Sequence, residues 1–525
     1  MNLFNLSIRR FKAISCLCLF ISLHNSLAAA VFPKEGGQLN YRLIGFSLPF
    51  ENLTGKYKIE IAPGYFNNAD SFTKDITVSA YGPTNKIIGE VPSFGSQYTW
   101  QATYVSSNGA IKKSALYHFT TGQLPVVDST QFRVRIIKHT EKYRDATIFN
   151  DALGILYDID GRPIWYMPGV KYESYSVLQP RDIKLSPFGT ITYLIDSKIY
   201  EINYNGDTLW SKTSSNGGSK YPDNVNFDFH HQFSRLKNGH YMALGSENVL
   251  YKPPTFSDTN LVIVPPGSVI NDSSAFKKKG TGDLIEYDEQ GNIVWMWKSI
   301  DYIKTSDLKY FCVQQSGLLD LHDNAFYFDN KDSIIYISFK NVDRIVKVKY
   351  PEGNVLNFYG NKYNKDGVVE NNLFHCQHAI KRSDNGYLYM FDNGCNTTTD
   401  PKLLLIREPT NINDSLKVLW QYECEVDDTL NKTKKGENPG GGNVKELPDS
   451  SIFVCMGLRN SIVFIVNLDK EVLWTAIAEN WNDYEKKWTR VLSYRSSIIT
   501  NRKDLERLIW NSEEEKKPLH GYSRK

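Results

Sequence analysis

A short pattern of strand, turn and strand recurs along most of this chain, and it constrains the fold more than any other feature. Its clearest copies occupy residues 155–165 and 199–210, where an apolar strand runs into a glycine turn and a second strand that ends in tryptophan. Further copies lie at residues 284–295 and 345–357, and two degenerate ones end at Trp420 and Trp474. Alternating apolar residues joined by Asp, Asn or Gly are typical of β-hairpins, because tight turns need residues that tolerate positive φ.

A second predicted hairpin precedes most of these copies. These preceding hairpins span residues 182–195, 231–244, 322–338, 378–392 and 443–456. Two hairpins make a four-stranded blade, and blades of roughly 40 to 50 residues build β-propellers. We therefore expect an all-β chain with a six-bladed β-propeller over residues 125–500. An irregular all-β stack is the alternative, and six copies of one pattern disfavour it.

The two ends of the chain differ from the repeats. Residues 31–124 contain a strand, an Asn108-Gly109 turn and a strand in the style of fibronectin type III modules, which predicts a small antiparallel β-sandwich before the propeller. Residues 501–525 are predicted to be a charged C-terminal tail. Residues 483–489 and 502–517 are charged and contain scattered aromatic side chains, which is consistent with short outer helices or a frayed tail.

The first thirty residues have the features of a signal peptide. Arg9, Arg10 and Lys12 precede an apolar stretch over residues 13–23, and small residues follow at positions 28–30. The apolar stretch is too short to span a bilayer, and we expect no stable membrane anchor elsewhere. We expect a periplasmic or secreted protein whose mature chain begins near residues 29–31.

Net charge and cysteine content restrict the possible partners and the cellular compartment of the protein. The net charge is +3, without the clustered basic stripes that nucleic-acid binding normally requires, so we expect no nucleic-acid partner. Five cysteines follow the predicted signal peptide, namely Cys312, Cys376, Cys395, Cys424 and Cys455. Cys376 and Cys395 flank one hairpin at nearly opposite places, which predicts a disulfide in an oxidising compartment, whereas free buried thiols are the alternative.

Three histidines stand near the predicted starts of equivalent inner strands. His231, His322 and His378 should therefore converge at the propeller axis. Because side chains alternate along a strand, His230 should face away from His231, although the sequence leaves open which of the two faces the channel.

The predicted surroundings of these histidines favour an anion. Lys340 falls on the second strand of the His322 hairpin, and a cation beside imidazoles favours a negatively charged group such as a sulfate or phosphate ester. Three histidines can also bind zinc or copper. No short histidine pair or Cys/His cluster supports a metal, so we expect no metal and no cofactor.

Four segments resemble the motifs of the bacterial arylsulfate sulfotransferases. They are residues 229–239, residues 321–325, residues 377–379 with 391–394, and residues 494–496. The resemblance implies a periplasmic enzyme that moves a sulfuryl group from an aryl sulfate to a phenolic acceptor without a nucleotide donor.

The same resemblance implies roles for individual residues. His378 would be the nucleophile that becomes transiently sulfated, in ping-pong kinetics. Catalytic His231, His322 and Lys340 would hold the sulfuryl oxygens, and substrate-binding roles fall on Asn324, His230, Arg495 and Asn443. The family usually has arginine where Lys340 stands, so the charge is kept but the planar fork is lost. The family's disulfide near the active site is matched loosely by Cys376 and Cys395.

Two other functions compete with the transferase. One is a non-catalytic exported propeller that binds glycans or other ligands, in which the histidines merely fill the channel. The other is a metal-dependent oxidoreductase on the same scaffold. The sequence also leaves the oligomeric state open, with a homodimer as one option.

Overall fold

A computed structural model describes most of the chain, and the architecture is all-β as predicted. The described residues are 31–124, 132–169, 179–213, 228–258, 260–265, 268–304, 307–395, 400–411, 414–424, 440–458 and 461–511. The predicted signal peptide and the end of the predicted tail, residues 512–525, lie outside them.

The N-terminal part, residues 31–124, contains two packed sheets. Its elements are β1 (Gly37–Leu39), β2 (Leu43–Ser47), β3 (Gly55–Pro63), α1 (Ala69–Lys74), β4 (Val78–Gly82), β5 (Lys86–Glu90), β6 (Gln97–Ser106), β7 (Ile111–Lys113) and β8 (Tyr117–Thr121). One sheet has the order β1-β8-β6-β3-β4 with β7 beside β6, and the other is the β2–β5 pair. Phe46 of β2 packs on Trp100 of β6 with ring centroids 5.0 Å apart. The β1–β8 pair is parallel, so the expectation of an entirely antiparallel arrangement is wrong there.

The rest of the chain is a succession of antiparallel hairpins. Its first half comprises β9 (Phe132–Lys138), β10 (Thr147–Asn150), β11 (Ile155–Asp158), β12 (Pro163–Tyr166), β13 (Arg181–Leu185), β14 (Ile191–Ile195), β15 (Lys198–Ile202), β16 (Thr208–Lys212), β17 (Asp228–Arg235), β18 (Tyr241–Lys252), β19 (Val262–Val264), β20 (Lys277–Tyr287), β21 (Ile293–Lys298) and α2 (Ser299–Ile303). Its second half comprises α3 (Leu308–Gln314), β22 (Asp323–Asp329), β23 (Ile334–Phe339), a 3-10 turn (Lys340–Val342), β24 (Arg344–Lys349), β25 (Val355–Gly360), β26 (Lys362–Asn364), β27 (Gly367–Val369), β28 (His378–Arg382), β29 (Leu388–Asp392), β30 (Lys402–Arg407), β31 (Lys417–Glu423), β32 (Asn443–Glu446), β33 (Ile452–Cys455), β34 (Ile462–Val466), β35 (Val472–Asn482), β36 (Lys487–Arg490), β37 (Ser496–Ile499) and α4 (Arg502–Trp510).

Within the described residues, six sheets each contain four strands that are neighbours in the sheet. We number them sheet I (β37-β10-β11-β12), sheet II (β13 to β16), sheet III (β17-β18-β20-β21), sheet IV (β22 to β25), sheet V (β28 to β31) and sheet VI (β32 to β35). The repeated hairpins predicted from the sequence pair as expected, for example β15 with β16 and β24 with β25. We call β37, β13, β17, β22, β28 and β32 the inner strands.

The inner strands contact one another in a closed succession. β13 contacts β17, β17 contacts β22, β22 contacts β28 and β28 contacts β32. β37 then contacts both β32 and β13. The side chains at the ends of these strands therefore face a shared central space.

Sheet I joins distant parts of the chain. Its inner strand β37 pairs with β10, so that Ile499 lies opposite Thr147 and Ser496 opposite Asn150. β9 pairs with β35 at the outer side of sheet VI. The repeat pattern did not predict either pairing, because neither uses a local turn.

The region after sheet VI differs in part from the sequence-based expectation. Residues 483–489, where a short helix was one option, instead connect and begin the β35–β36 hairpin, so that option is wrong. The following helix α4 does form, and its buried Leu505, Leu508 and Ile509 pack toward β2 of the N-terminal part.

Candidate active site

The inner strands carry an irregularity at the end where the histidines lie. A register shift interrupts pairing near the start of β13, β17, β22 and β28. Each shift is accompanied by a residue in the left-handed region, namely Asp182, His231, His322 and Ala379, with φ between 53° and 59°. A β-bulge re-aims side chains and breaks the strict alternation of a strand. The prediction that His230 and His231 face opposite ways depends on that alternation.

The bulge in β17 overturns the prediction that His230 and His231 face opposite ways. His231 has φ 59°, and its Nδ1 lies 2.8 Å from Nδ1 of His230, close enough for one ring to donate to the other. β17 also begins at Asp228, so His231 lies within the strand rather than at its head. The two imidazoles therefore form one contacting pair.

The three histidines predicted to converge are linked by ring contacts, two of them with Tyr494 and the third with His231. The ring centroid of His231 is 5.0 Å from that of His322 and 5.9 Å from that of Tyr494. Tyr494 in turn lies 6.5 Å from His378. Tyr494 precedes the closing strand β37, and the sequence analysis noted it only as part of a motif.

His378 is the most enclosed of the three, at 1% exposure, and its ring orientation is fixed through Nδ1. Nδ1 lies 3.0 Å from the carbonyl oxygen of Cys376, which can only accept a hydrogen bond. The Asn393 amide nitrogen lies 2.9 Å from the same carbonyl, 3.3 Å from that of Gly441 and 2.6 Å from Nδ1. We assign the imidazole hydrogen to Nδ1, which donates it to the Cys376 carbonyl, and the amide hydrogens to the two carbonyls, so the approach of the Asn393 nitrogen to Nδ1 is a contact between two donors and not a hydrogen bond. This assignment leaves the lone pair of His378 on Nε2.

A disulfide anchors the backbone that holds His378. Cys376 and Cys395 are bonded, with Cα atoms 5.6 Å apart, which confirms the predicted bridge. The remaining cysteines that were expected in the mature chain are free and buried: Cys312, Cys424 and Cys455. Because the Cys376 carbonyl accepts from the His378 ring, the bridge restrains the group that orients the imidazole.

Lys340 lies next to His322, but not on the strand where it was predicted. β23 ends at Phe339, and Lys340 opens the 3-10 turn that follows. Its backbone N–H donates to the His322 carbonyl at 2.9 Å. The half-buried ammonium group is close enough that its charge lowers the pKa of both His322 and His378.

Burial keeps the imidazoles neutral near pH 7. It is the largest cause lowering the pKa of His231 and His378 well below 6.5, and neighbouring imidazoles and Arg495 add to the effect. The pKa of His230 is lowered to about 4, mainly by burial and then by the charge of His322. Burial also lowers the pKa of Lys340 from 10.5. The site therefore combines neutral nitrogen nucleophiles with a cation, which suits an anionic substrate.

Arg495 directly follows Tyr494 in the chain, and its side chain is already paired within the protein. Its guanidinium donates to Asp182 at 2.9 Å, to the Gln232 side-chain oxygen at 3.3 Å and to the Asn324 carbonyl at 2.8 Å. It thereby ties inner strands β13, β17 and β22 to the segment before β37. The contacts favour a positioning role for Arg495 over the substrate contact predicted from sequence.

Asn324 and Asn443 are also engaged by neighbouring backbone. The Asn324 amide donates to the Gln377 carbonyl at 2.8 Å, directly before His378. The Asn443 amide nitrogen donates to the Ser496 carbonyl at 2.7 Å, and its oxygen accepts from the Ser496 N–H at 3.1 Å. Asn443 therefore clamps the closing strand, and its substrate-binding role stays a prediction.

Arg181 is a further site residue that the sequence analysis missed. It is exposed at the start of β13, and its guanidinium lies 5.5 Å from the centroid of the Tyr494 ring. It precedes Asp182 of the bulge, at the place that His378 holds in β28. The hairpin predicted from the sequence begins one residue later, at residue 182, so Arg181 was left out of the comparison with His378.

Within the described ranges there is neither a candidate metal site nor a candidate membrane-spanning helix. No group of three or more His, Cys, Asp or Glu side chains there is arranged to hold a metal ion. No helix in the same ranges is long and apolar enough to cross a membrane.

Comparison with known proteins gives a family and only distant structural likenesses. None of the curated proteins matches the chain. A protein of unknown function from Bacteroides caccae is 9% identical over 68% of this chain and 98% of its own, with a TM-score of 0.38. A putative 6-phosphogluconolactonase from Bacteroides fragilis is 9% identical over 85% and 98%, with a TM-score of 0.28. A luciferin-regenerating enzyme is 10% identical over 69% and 99%, with a TM-score of 0.31.

The family comparison is the informative one. The model of the family described as Arylsulfotransferase (ASST) matches residues 129–415, which is more than half of the chain and includes the strands that carry all three histidines. The chain therefore belongs to the arylsulfotransferase family of sulfotransferase enzymes.

Proposed function

We propose that this protein transfers a sulfuryl group from an aryl sulfate ester to a phenolic acceptor through a sulfated His378. The observation that carries the proposal is the fixed, neutral His378 ring, whose Nδ1 is held by the Cys376 carbonyl beside the cationic Lys340. A neutral imidazole with one nitrogen tied to an acceptor presents its other nitrogen as a nucleophile. Family membership implies a small-molecule donor and acceptor.

The first half-reaction forms a nitrogen–sulfur bond. Nε2 of His378 attacks the sulfur of the donor, and the bond between sulfur and the aryl oxygen breaks. The aryl oxygen leaves as a phenolate and takes up a proton. The sulfuryl group then remains on His378.

The second half-reaction reverses this with a different phenol. The acceptor oxygen gives up its proton and attacks the sulfur, the nitrogen–sulfur bond breaks, and neutral His378 is restored. Because donor product leaves before acceptor reacts, the kinetics should be ping-pong.

Three neighbouring residues can stabilise the negative charge on the oxygens of the transferring sulfuryl group. Lys340 supplies a positive charge, and His231 and His322 can donate hydrogen bonds to sulfuryl oxygens from neutral rings. Asn324 and Arg495 hold the strands on which these groups stand. Positioned donors around a transferring group lower its barrier much as they do in phosphoryl transfer.

We also propose that sheets I to VI are the blades of a six-bladed propeller that spans residues 125–500. The closed succession of contacts among the inner strands supports this. Residues 31–124 would be a separate N-terminal sandwich, and residues 501–525 a C-terminal extension that begins with α4. A periplasmic or secreted location is compatible with the Cys376–Cys395 disulfide.

The test is incubation of the purified protein with 4-nitrophenyl sulfate in the presence and absence of phenol. We expect release of 4-nitrophenol that depends on phenol, and parallel lines in double-reciprocal plots. Enzyme incubated with donor alone should carry one sulfuryl group on the peptide containing His378. Absence of turnover with several aryl sulfates and phenols would instead favour a propeller that only binds ligands.

A further inference from the structure

A second cavity opens at the end of the inner strands opposite the histidines. It has a volume of about 700 Å³ and lies among the turns that follow β13, β17, β22 and β28. Its inner wall includes Lys184, Thr192, Gln232 and Lys381. Lys381 lies three residues beyond His378 on β28, on the far side of the bulge at Ala379.

Lys381 contributes a positive charge to the wall of this cavity. Among the described residues it has neither a hydrogen bond nor an ion pair, and its nearest recorded contact is the Tyr327 ring, 6.0 Å from Nζ. Its pKa is lowered to about 7, mainly by burial and then by the charges of Lys184, Arg495 and Lys445, while Asp182 raises it. The side chain is half-buried, and an ammonium group that is partly removed from water is stabilised by a counter-charge.

The groups around Lys381 do not supply that counter-charge. Asp182 is already shared by Lys184 and Arg495. Lys445 donates to the Ile498 carbonyl at 2.9 Å, which is neutral. Lys381, Lys184 and Arg495 therefore have Asp182 as their common carboxylate, while the charge of Asp504 acts on Lys445. At the rim, Asp329 and Asp332 both pair with Arg382, and the remaining carboxylate there is Asp384.

A hydroxyl group in the same wall also lacks a partner. Thr192 is fully buried, and its Oγ1 has no hydrogen-bond partner among the described residues. It lines the cavity beside Lys184. An unpaired donor next to an excess of positive charge is a combination that an oxyanion satisfies, because each of its oxygens accepts hydrogen bonds.

We propose that this cavity is a second anion site that binds a free, doubly charged tetrahedral oxyanion such as sulfate or phosphate between Lys381, Lys184 and Thr192. It is distinct from the site at His378, since it lies among the turns at the opposite ends of the inner strands and its lining includes none of His231, His322 and His378. A divalent ion fits the charge excess better than chloride or a carboxylate, because it offsets two of the unmatched cations.

The experiment is isothermal titration calorimetry of inorganic sulfate and phosphate into the full chain at constant ionic strength, with chloride and acetate as comparison anions. We expect binding of sulfate or phosphate, and little of chloride or acetate. Lys381→Met should weaken sulfate binding by at least about tenfold, which is the usual scale for a lost charged partner. Lys365→Met, on the exposed turn of the β26–β27 hairpin, is the matched control and should bind as the native chain does.

The pH dependence distinguishes an anion site at Lys381 from a structural effect of the substitution. Because bound anion favours the charged amine, native affinity should fall above pH 7, by up to about tenfold per pH unit. Lys381→Arg stays charged, so its sulfate affinity should remain constant from pH 7 to 9. An arginine variant with the native pH dependence would overturn the proposal.

A further variant separates this site from the catalytic one. His378→Ala should bind sulfate at the second site with native affinity, whatever its transfer activity. Sulfate binding that survives in Lys381→Met but is lost in Lys340→Met would place the anion at the histidines and overturn the proposal. Sulfate binding that follows Lys381 in a protein without transferase activity would leave it standing, while refuting the proposed function.

Discussion

The two ends of the inner strands hold basic groups under similar burial, yet they differ in what that burial produces. At one end, burial lowers the pKa of His231 and His378 and yields uncharged rings beside one cation, Lys340. At the other end, it lowers the pKa of Lys381 to about 7, where the amine can gain or lose its charge under ordinary conditions. The charge of the buried Arg495, which is paired with Asp182, acts on His231 and His378 at one end and on Lys381 at the other.

Desolvation therefore has different consequences for the two kinds of titratable group. An imidazole starts at pKa 6.5, so lowering it removes the charge and exposes a nucleophile. A lysine starts at 10.5, so the same cause produces a group that a bound anion can recharge. One end is therefore suited to covalent transfer and the other to reversible binding.

The substitution His378→Ala should distinguish the functions of the two ends most clearly. Loss of the nucleophile should lower sulfuryl transfer by about 10⁴-fold or more, because the proposed sulfated His378 intermediate cannot form. The measurement is the steady-state rate with 4-nitrophenyl sulfate and phenol, together with near-ultraviolet circular dichroism to verify folding. The exposed His139, replaced by alanine, is the control and should leave the rate unchanged. A sulfuryl adduct found on His231 or His322 would show that the nucleophile is misassigned.

Removal of the cation at the histidine end should have the next largest effect. Lys340→Ala should lower kcat/KM by about 10²-fold, since a charged donor to the transferring group is lost. Lys340→Arg should keep or raise the native rate, because the charge remains and a bidentate donor is gained. Equal rates for the native and alanine enzymes would remove Lys340 from the site.

The two supporting histidines should show intermediate effects. His322→Asn and His231→Asn retain a donor, so each should lower kcat by about tenfold and leave measurable activity. Sulfation of His378 by donor alone should still occur in both variants, only more slowly. Complete absence of the adduct in either variant would mean that the replaced ring takes part in forming the bond.

The pH profile tests the electrostatic contrast directly. Because the pKa of His378 lies well below 6.5, the nucleophile stays neutral at pH 6 and kcat/KM should remain near its maximum there. On the alkaline side, Lys340 loses its charge below pH 10.5, so the rate should decline severalfold before that pH. Lys340→Arg should abolish this alkaline decline. A native profile that falls below pH 6.5 with an ordinary histidine midpoint would contradict the assignment.

Removal of the disulfide should have the smallest effect on rate. The double variant Cys376→Ala, Cys395→Ala releases a loop with a sequence separation of 19 residues, which should lower the free energy of unfolding by about 3 kcal/mol. The Cys376 carbonyl is retained, so transfer should fall only severalfold. Denaturant unfolding and steady-state rates measure the two effects, and Cys312→Ala serves as the free-thiol control.

Local regularity explains what the sequence could predict. The hairpins of β15–β16 and β24–β25 depend on alternation and on turns at Gly206 and Gly353, both of which are visible in the sequence. The Cys376–Cys395 bridge followed from counting residues from such a turn. The three histidines followed from their equivalent places before the turns.

Non-local pairing and backbone strain explain what it could not predict. The bulge at His231 depends on a positive φ that histidine rarely adopts, so the contact with His230 was not foreseeable from alternation. The strand β37 pairs with β10 across most of the chain, and this pairing brings Tyr494 and Arg495 to the histidines. The cluster of lysines had a signal that went unused, since Lys184 and Lys381 each lie five residues before a turn glycine.

The position of β37 has a consequence for when the enzyme can first act. Tyr494, Arg495 and the strand that closes sheet I follow every histidine of the site along the chain, whereas their partner strand β10 precedes all of those histidines. A nascent chain that ends before residue 494 holds every histidine of the site but lacks the segment that ties their strands together. Activity should therefore begin only after synthesis has passed residue 499.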